Sequence, residues 1–236
     1  NLQKAAYDLL EEKIAGIVVA KMANVMNYDR SQLTDESDVI IPIDDVYNAF
    51  ISNEILDTGH FEDPDAKSTE QAVYQAYITR HEEVISEVLE QLGNPNAPAY
   101  KECSKEMQAY LSYVISDLLT TNAKILQTDK IDTKDKTYLA WEEDETISLY
   151  TYLNYAISQN WIDTSKLKEY MDEESSYSDL GETYQGLVNF IGKKLSTDSG
   201  FEKLIYKYMI KTGRITGTQI CLLLYEQEVL DYDETQ

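Results

Sequence analysis

Two short runs of carboxylates, with the aromatic residues beside them, are the side chains of this sequence best suited to do chemistry. Clustered carboxylates attract the cationic side chains of a partner protein, and neighbouring aromatic rings add cation–π contacts and contact area. We therefore expect these residues to bind a basic protein surface. The residues concerned are Tyr138, Trp141, Glu142, Glu143, Asp144 and Glu145 around the first run, and Asp172, Glu173 and Glu174 in the second.

The carboxylate runs also have a purely structural interpretation. Each run lies at the end of a predicted helix, and the helical pattern that resumes at Glu142 places the first run at a helix N-terminus. The helix dipole stabilises negative charge at that position by about 0.3–1 kcal/mol. The sequence leaves both interpretations open.

Two further acidic sets have a spacing that suggests cation binding. Glu83, Glu87 and Glu90 share one helix face, but this face lies opposite the apolar stripe, where a solvated surface is expected. The stretch from Asp132 to Glu143 superficially resembles a calcium loop, but Lys134 occupies a ligand position and the turn glycine is missing. The sequence therefore predicts no metal site.

Sequence motifs of the common enzyme classes are absent. The chain has no GxGxxG, GxxxxGK[ST] or GxSxG motif, and neither of its 2 histidines, His60 and His81, lies in an HExxH or ExxH pattern. A structural role is favoured for His81, because it lies on the apolar face of its helix. We expect no cofactor and no catalytic residue, and an interaction protein rather than an enzyme. The alternative is a helical enzyme or divalent-cation-binding domain that uses clustered carboxylates.

A stripe of basic residues interrupts the acidic sequence. Lys203, Lys207 and Lys211 recur every four residues, and Arg214 follows in a turn that resembles a helix-turn-helix. The next segment, residues 220–225, is too apolar to read bases in a DNA groove, and the acidic remainder of the chain would repel a duplex. We therefore expect the stripe to contact carboxylates of the same chain or a helix C-terminus.

The net charge limits the class of partner. The chain carries 43 Asp and Glu against 20 Lys and Arg, a formal charge of −23, and each of the first three blocks of 60 residues carries −7. Such a surface repels phosphate backbones and anionic membranes and attracts cationic patches. We expect a basic protein partner, with no direct contact to nucleic acid or membrane. A mimic that occupies a nucleic-acid-binding protein is one form of this prediction, and the oligomeric state is open.

The elements that position these residues are predicted to be helices. Hydrophobic residues make up 43% of the chain, and its 4 Pro and 9 Gly are too few for the closely spaced turns of an all-β protein. We predict an all-α fold of about eight helices, packed as antiparallel hairpins in an orthogonal or bundle-like array. Apolar spacing and capping residues predict helices at 2–27, 45–55, 68–92, 100–126, 142–157, 164–171, 179–196, 201–212 and 217–230, with a short extended segment near 39–43.

A single domain over residues 1–236 is expected, with the polar stretch 127–136 as a candidate internal boundary. Residues 155–167 and 208–220 align at an offset of 53, and both contain a residue suited to a left-handed helix cap. This similarity indicates either convergent chemistry at tight helix–helix turns or a degenerate repeat of helical hairpins.

Cysteine usage and the most apolar stretch give little information on the compartment. Cys103 and Cys221 lack the spacing of a metal site or a disulfide framework, so free buried thiols are favoured and a single bridge stays open. Residues 14–26 are too few to span a bilayer and include Lys21. The cytoplasm is favoured, while the absence of Met at position 1 leaves a removed targeting peptide open.

Overall fold

Residues 42–171 and 179–231 are described by a computed structural model of the chain. Within these ranges the fold is all-α, as predicted, and the β-structure amounts to one isolated bridge between Leu126 and Ile162. The packing of the helices as antiparallel hairpins stays a prediction. The helices are α1 (Ile43–Ser52), α2 (Ser68–Gly93), α3 (Lys105–Tyr113), α4 (Lys136–Glu142), α5 (Leu149–Ser158), α6 (Leu180–Leu195), α7 (Ser199–Lys211) and α8 (Gly217–Glu226).

The predicted helix 2–27 and most of the predicted extended segment lie outside the described residues. Pro42 has an extended backbone, but Ile43 already belongs to α1, so the extended segment does not reach residue 43. Asp44 and Asp45 in the first turn favour this early start, because negative charge is stabilised at a helix N-terminus. None of the described helices is both long and apolar enough to cross a membrane.

The chain is divided into two compact units. The described residues of the first unit are 42–80 and 203–231, and those of the second are 81–171 and 179–202. The predicted internal boundary at 127–136 lies inside the second unit.

In the first unit, aromatic side chains pack against the long helix α2. The ring of Tyr206 stacks on Tyr77 with centroids 4.6 Å apart, and Phe61 meets Tyr206 edge-on at 6.4 Å. The free N–H groups at the start of α2 are bound by a distant side chain: the Glu226 carboxylate accepts hydrogen bonds from the amides of Thr69 and Glu70 at 3.1–3.2 Å. The end of α8 thereby holds the beginning of α2.

In the second unit, the predicted helix 100–126 is divided into three parts. A 3₁₀ turn spans Tyr100–Glu102, α3 begins after Ser104, and a π-helical segment covers Val114–Asn122. The cause of the first break is Ser104, whose hydroxyl accepts the N–H of Met107 at 3.1 Å and starts a new helix. The predicted helix 142–157 is also wrong. Residue 142 is the end of α4, which begins at Lys136, and α5 begins only at Leu149, after its cap Ser148.

Six helix ends among the described residues share one conformation. Each has a residue with positive φ, and the backbone N–H of a residue one or two positions later donates to a carbonyl of the preceding helix, as with Ile125 and Leu126 donating to Leu119 O at 2.8 and 3.0 Å. Asn160 and Gly213, the aligned positions of the suspected repeat, both belong to this set, but so do four ends outside it, which favours convergence. The six residues are Glu54, Lys124, Glu145, Asn160, Gly213 and Glu228.

The left-handed positions predict opposite effects of two substitutions. A residue with a Cβ in this conformation is destabilised by about 1–2 kcal/mol relative to its right-handed form, and glycine avoids that penalty. Lys124, with φ +51° and an exposed side chain, changed to Gly should raise the free energy of unfolding by about 1 kcal/mol. Gly213→Ala, at φ +72°, should lower it by a similar amount. Urea unfolding of both variants measures the effect, and a destabilised Lys124→Gly variant would contradict this assignment.

Candidate functional site

The first carboxylate run is positioned by α4, whose start is fixed by Asp135. The Asp135 carboxylate accepts hydrogen bonds from the amides of Thr137 and Tyr138 at 2.8 and 3.0 Å and from the Tyr155 hydroxyl at 2.7 Å. Burial opposes ionisation of this carboxyl, but these hydrogen bonds outweigh it and lower the pKa of Asp135. The link to Tyr155 also ties α4 to α5.

The run itself lies at the opposite end of α4 from the one expected. Glu142 is the last residue of the helix, Glu143 and Asp144 follow it, and Glu145 occupies a left-handed position with φ +53°. The expectation of a helix N-terminus is therefore wrong, because the capping carboxylate of Asp135 starts the helix before the run. At a C-terminus the dipole disfavours negative charge, so the helix gains no stability from these side chains.

The side chains of the run point largely into solvent. Glu142, Glu143 and Asp144 are exposed and Glu145 is half-buried. Among the described residues, none of the four carboxylates takes part in an ion pair or a side-chain hydrogen bond. Their field nevertheless reaches the helix: after burial, the charges of Glu142 and Glu143 are the factors that raise the pKa of the Tyr138 hydroxyl.

The two aromatic residues of the predicted site have different environments. Tyr138 is half-buried and stays close to the carboxylates. Trp141 is only 6% exposed, with its ring 5.1 Å from Tyr100 and 5.2 Å from Tyr152, on which it stacks. Its predicted role as surface contact area needs correction: Trp141 packs in the core of the second unit and anchors α4 there.

The second predicted run, Asp172 to Glu174, lies outside the described residues. The structure therefore brings together Tyr138, Trp141 and the residues 142–145 on one short helix and its turn, and it gives no distance between the two runs. The carboxylate of Asp179, which follows the second run, accepts the amide of Glu182 at 2.8 Å and caps α6.

The basic stripe on α7 is engaged with carboxylates of the first unit, as expected. Lys203 pairs with Glu54 at 2.9 Å, and Lys211 lies 4.0 Å from a carboxylate oxygen of Asp45. Glu54, Lys211 and Asp45 are exposed and Lys203 is half-buried, so each pair stabilises the fold by at most about 1 kcal/mol. They nevertheless place two lysines of the stripe against acidic neighbours.

A second polar cluster, in the first unit, was missed at the sequence level. His60 Nδ1 lies 2.8 Å from Glu70 Oε1, and the hydrogen bond to Glu70 is the main factor that raises the pKa of His60. Glu70 is fully buried, which opposes ionisation, but hydrogen bonds from the Lys67 amide, the Gln227 side chain and His60 lower its pKa. In the sequence, only the acidic residues close to His60 could have indicated this cluster. The contribution of Gln227 could not be predicted, because it lies 157 residues from Glu70 along the chain.

A cleft of about 710 Å³ lies between α2 and α6 in the second unit, but its polar groups do not converge on a ligand. The Tyr184 hydroxyl donates to Leu92 O at 2.6 Å, and Lys193 Nζ lies over the ring of Tyr170 at 5.3 Å. Two of the groups that could orient a small molecule are thus already engaged by the protein.

The Asp135 cap predicts a pH-dependent loss of stability in one variant. Asp135→Ala should lower the free energy of unfolding by about 1 kcal/mol near pH 7, because two amides of α4 lose their acceptor. Since the folded-state pKa of Asp135 is lowered, its contribution is present above the unfolded value of about 3.9 and disappears as the pH falls below it.

Urea unfolding of both proteins between pH 7 and 3 should show the difference narrowing below about pH 4. Asp129→Ala is the matched control, because Asp129 is exposed and caps no helix. An equal loss in the control would show that net charge, and not the cap, is responsible.

Comparison with known proteins gave no match: no family model matches the chain, and neither a curated protein nor a solved structure shows significant similarity to it.

Proposed function

We propose that this chain is a non-enzymatic acidic interaction protein that binds a basic protein surface through the C-terminal end of α4. The main support for this proposal is the position of Glu142, Glu143 and Asp144. They are exposed, they pair with no described residue, and they lie at the helix end where the dipole disfavours their charge. Stability of the fold does not account for carboxylates placed in this way.

The same position suits the recognition of cations. The C-terminus of a helix carries a partial negative charge equivalent to about half an elementary charge, which adds to that of the carboxylates. A Lys or Arg side chain of a partner would meet both. Tyr138, half-buried beside the run, offers a ring edge and a hydroxyl at the margin of such a contact.

The charge of the whole chain acts over a longer range. A formal charge of −23 steers a cationic partner towards the protein and raises the association rate, whereas the local carboxylates decide where the partner binds. A mimic of nucleic acid is one specific form of this function. In that form DNA or RNA competes with the chain for its partner.

Binding of a basic peptide tests the proposal. The triple variant Glu142→Gln, Glu143→Gln, Asp144→Asn should bind a Lys- and Arg-rich peptide of about 20 residues at least tenfold more weakly than the wild type, because local charge pairs are lost. The control is Glu82→Gln, Glu90→Gln, Asp129→Asn, which removes the same charge from exposed positions elsewhere. The control should lose less than about threefold, since distant exposed charges are screened.

Fluorescence anisotropy at low salt and at about 0.5 M salt measures both effects, because screening shortens the Debye length severalfold. Equal weakening by the two triple variants would falsify the proposed site, and binding that is unaltered by salt would contradict the electrostatic mechanism.

Thermal unfolding of the same triple variant separates the functional from the structural interpretation. If the carboxylates stabilised α4, their neutralisation would lower the melting temperature. Because they crowd the C-terminal end, we expect neutralisation to raise the free energy of unfolding by a few tenths of a kcal/mol, up to about 1 kcal/mol. A clear loss of stability would show that the carboxylates of the run have a structural role.

A further inference from the structure

The loop that leads into α2 brings three potential metal ligands together. His60 lies in the 3₁₀ turn Thr58–Glu62, and Asp63 and Asp65 follow on either side of Pro64. One ligand atom from each of the three side chains lies within 4.8 Å of the others. The three donors come from six consecutive residues, so no rearrangement of distant elements is needed to assemble them.

The imidazole of His60 is oriented by a residue outside this trio. Glu70 Oε1 is 2.8 Å from Nδ1, which leaves Nε2 as the ring nitrogen able to ligate a cation. Glu70 is 0% exposed, and it is held in turn by the Lys67 amide at 2.6 Å and by Gln227 Nε2 at 2.8 Å. A buried carboxylate that binds the second ring nitrogen is the usual support of a metal-ligating histidine.

The carboxylates of Asp63 and Asp65 are exposed and accept no hydrogen bond from any described residue. The negative charge of each carboxylate favours the protonated imidazole of His60 and so contributes to its raised pKa, and the two carboxylates repel each other. The trio thus offers one imidazole nitrogen and two exposed carboxylates, and none of the described Lys or Arg side chains pairs with these carboxylates.

We propose that His60, Asp63 and Asp65 form a binding site for a divalent transition-metal ion, with Zn²⁺ as the best-suited ion. An imidazole nitrogen selects Zn²⁺ or its neighbours over Ca²⁺ and Mg²⁺, which prefer oxygen ligands. Three protein ligands leave a fourth tetrahedral position for water. Ligands about 2.0–2.2 Å from Zn²⁺ lie about 3.4 Å apart, so donors that are up to 4.8 Å apart must approach each other by up to about 1.4 Å on binding, and the exposed side chains of Asp63 and Asp65 allow this movement.

This site is independent of the acidic run on α4. It belongs to the other compact unit, and its function would be to fix the loop that precedes α2. Metal bound there stabilises the folded state by mass action, so the melting temperature should rise with the Zn²⁺ concentration.

Calorimetric titration of the full chain with Zn²⁺ at fixed ionic strength tests the proposal, after removal of metal with a chelator. We expect one Zn²⁺ per chain with a Kd below about 10 µM. His60→Gln and the double variant Asp63→Asn, Asp65→Asn should each weaken binding at least about tenfold. His81→Gln and the double variant Glu82→Gln, Glu90→Gln are matched controls that should bind like the wild type.

Co²⁺ absorption spectra provide a second readout, because four-coordinate Co²⁺ absorbs strongly in the visible range and six-coordinate Co²⁺ in water does not. This absorption should be lost with His60→Gln, which removes one of the three protein ligands. If His60→Gln disturbs folding, the exposed Asp63→Asn, Asp65→Asn variant decides. The proposal is overturned by absence of stoichiometric Zn²⁺ binding, by equal binding in these variants and the controls, or by a preference of the trio for Ca²⁺ over Zn²⁺.

Discussion

Hydrogen bonds from backbone amides to carboxylates at the beginnings of helices are the interaction on which the described fold depends. An α-helix leaves its first N–H groups without partners, and each side chain that accepts them contributes about 1 kcal/mol. Among the described helices most of those acceptors are acidic, and one of them, Glu226, binds the start of α2 from 157 residues away. The acidic caps are Asp57, Asp135, Asp163, Asp179, Asp198 and Glu226.

This use of carboxylates distinguishes the residues that build the fold from those that do not. Asp135 and Asp179 lie at helix starts, where their charge is favourable and their oxygens are bound. The residues 142–144 lie at the C-terminal end of α4 and directly after it, where they are exposed and where the helix dipole disfavours negative charge. A chain with a formal charge of −23 thus combines structural carboxylates with carboxylates available to a partner, and the helix polarity tells them apart.

Local chemistry explains what could be predicted from the sequence. The scarcity of Pro and Gly indicated helices, and Gly93 marked the end of α2 correctly. The prediction was wrong where the apolar spacing continues across a helix boundary. Such continuous spacing covers residues 100–126 and 142–157, but Ser104 and Ser148 each cap a new helix inside these stretches. Apolar spacing does not reveal such breaks, because it does not distinguish a serine that caps a new helix from a serine inside a continuous helix.

The candidate sites were predictable to different degrees. The run of acidic residues is visible in the sequence, but its position at a helix C-terminus depends on Asp135 starting α4 seven residues before Glu142. The burial of Trp141 depends on Tyr100 and Tyr152, which come from other parts of the chain. Glu70, which orients His60, is itself bound by Gln227, and spacing along the chain does not reveal this contact.

An NMR titration of the full chain with the basic peptide tests the central claim most directly, because it locates the contact residue by residue. We predict that the largest amide shifts fall between residues 138 and 146, with small shifts on the exposed face of α2. Shifts spread evenly over the exposed carboxylates, or concentrated away from the end of α4, would show that charge alone attracts the peptide and that this surface has no special role.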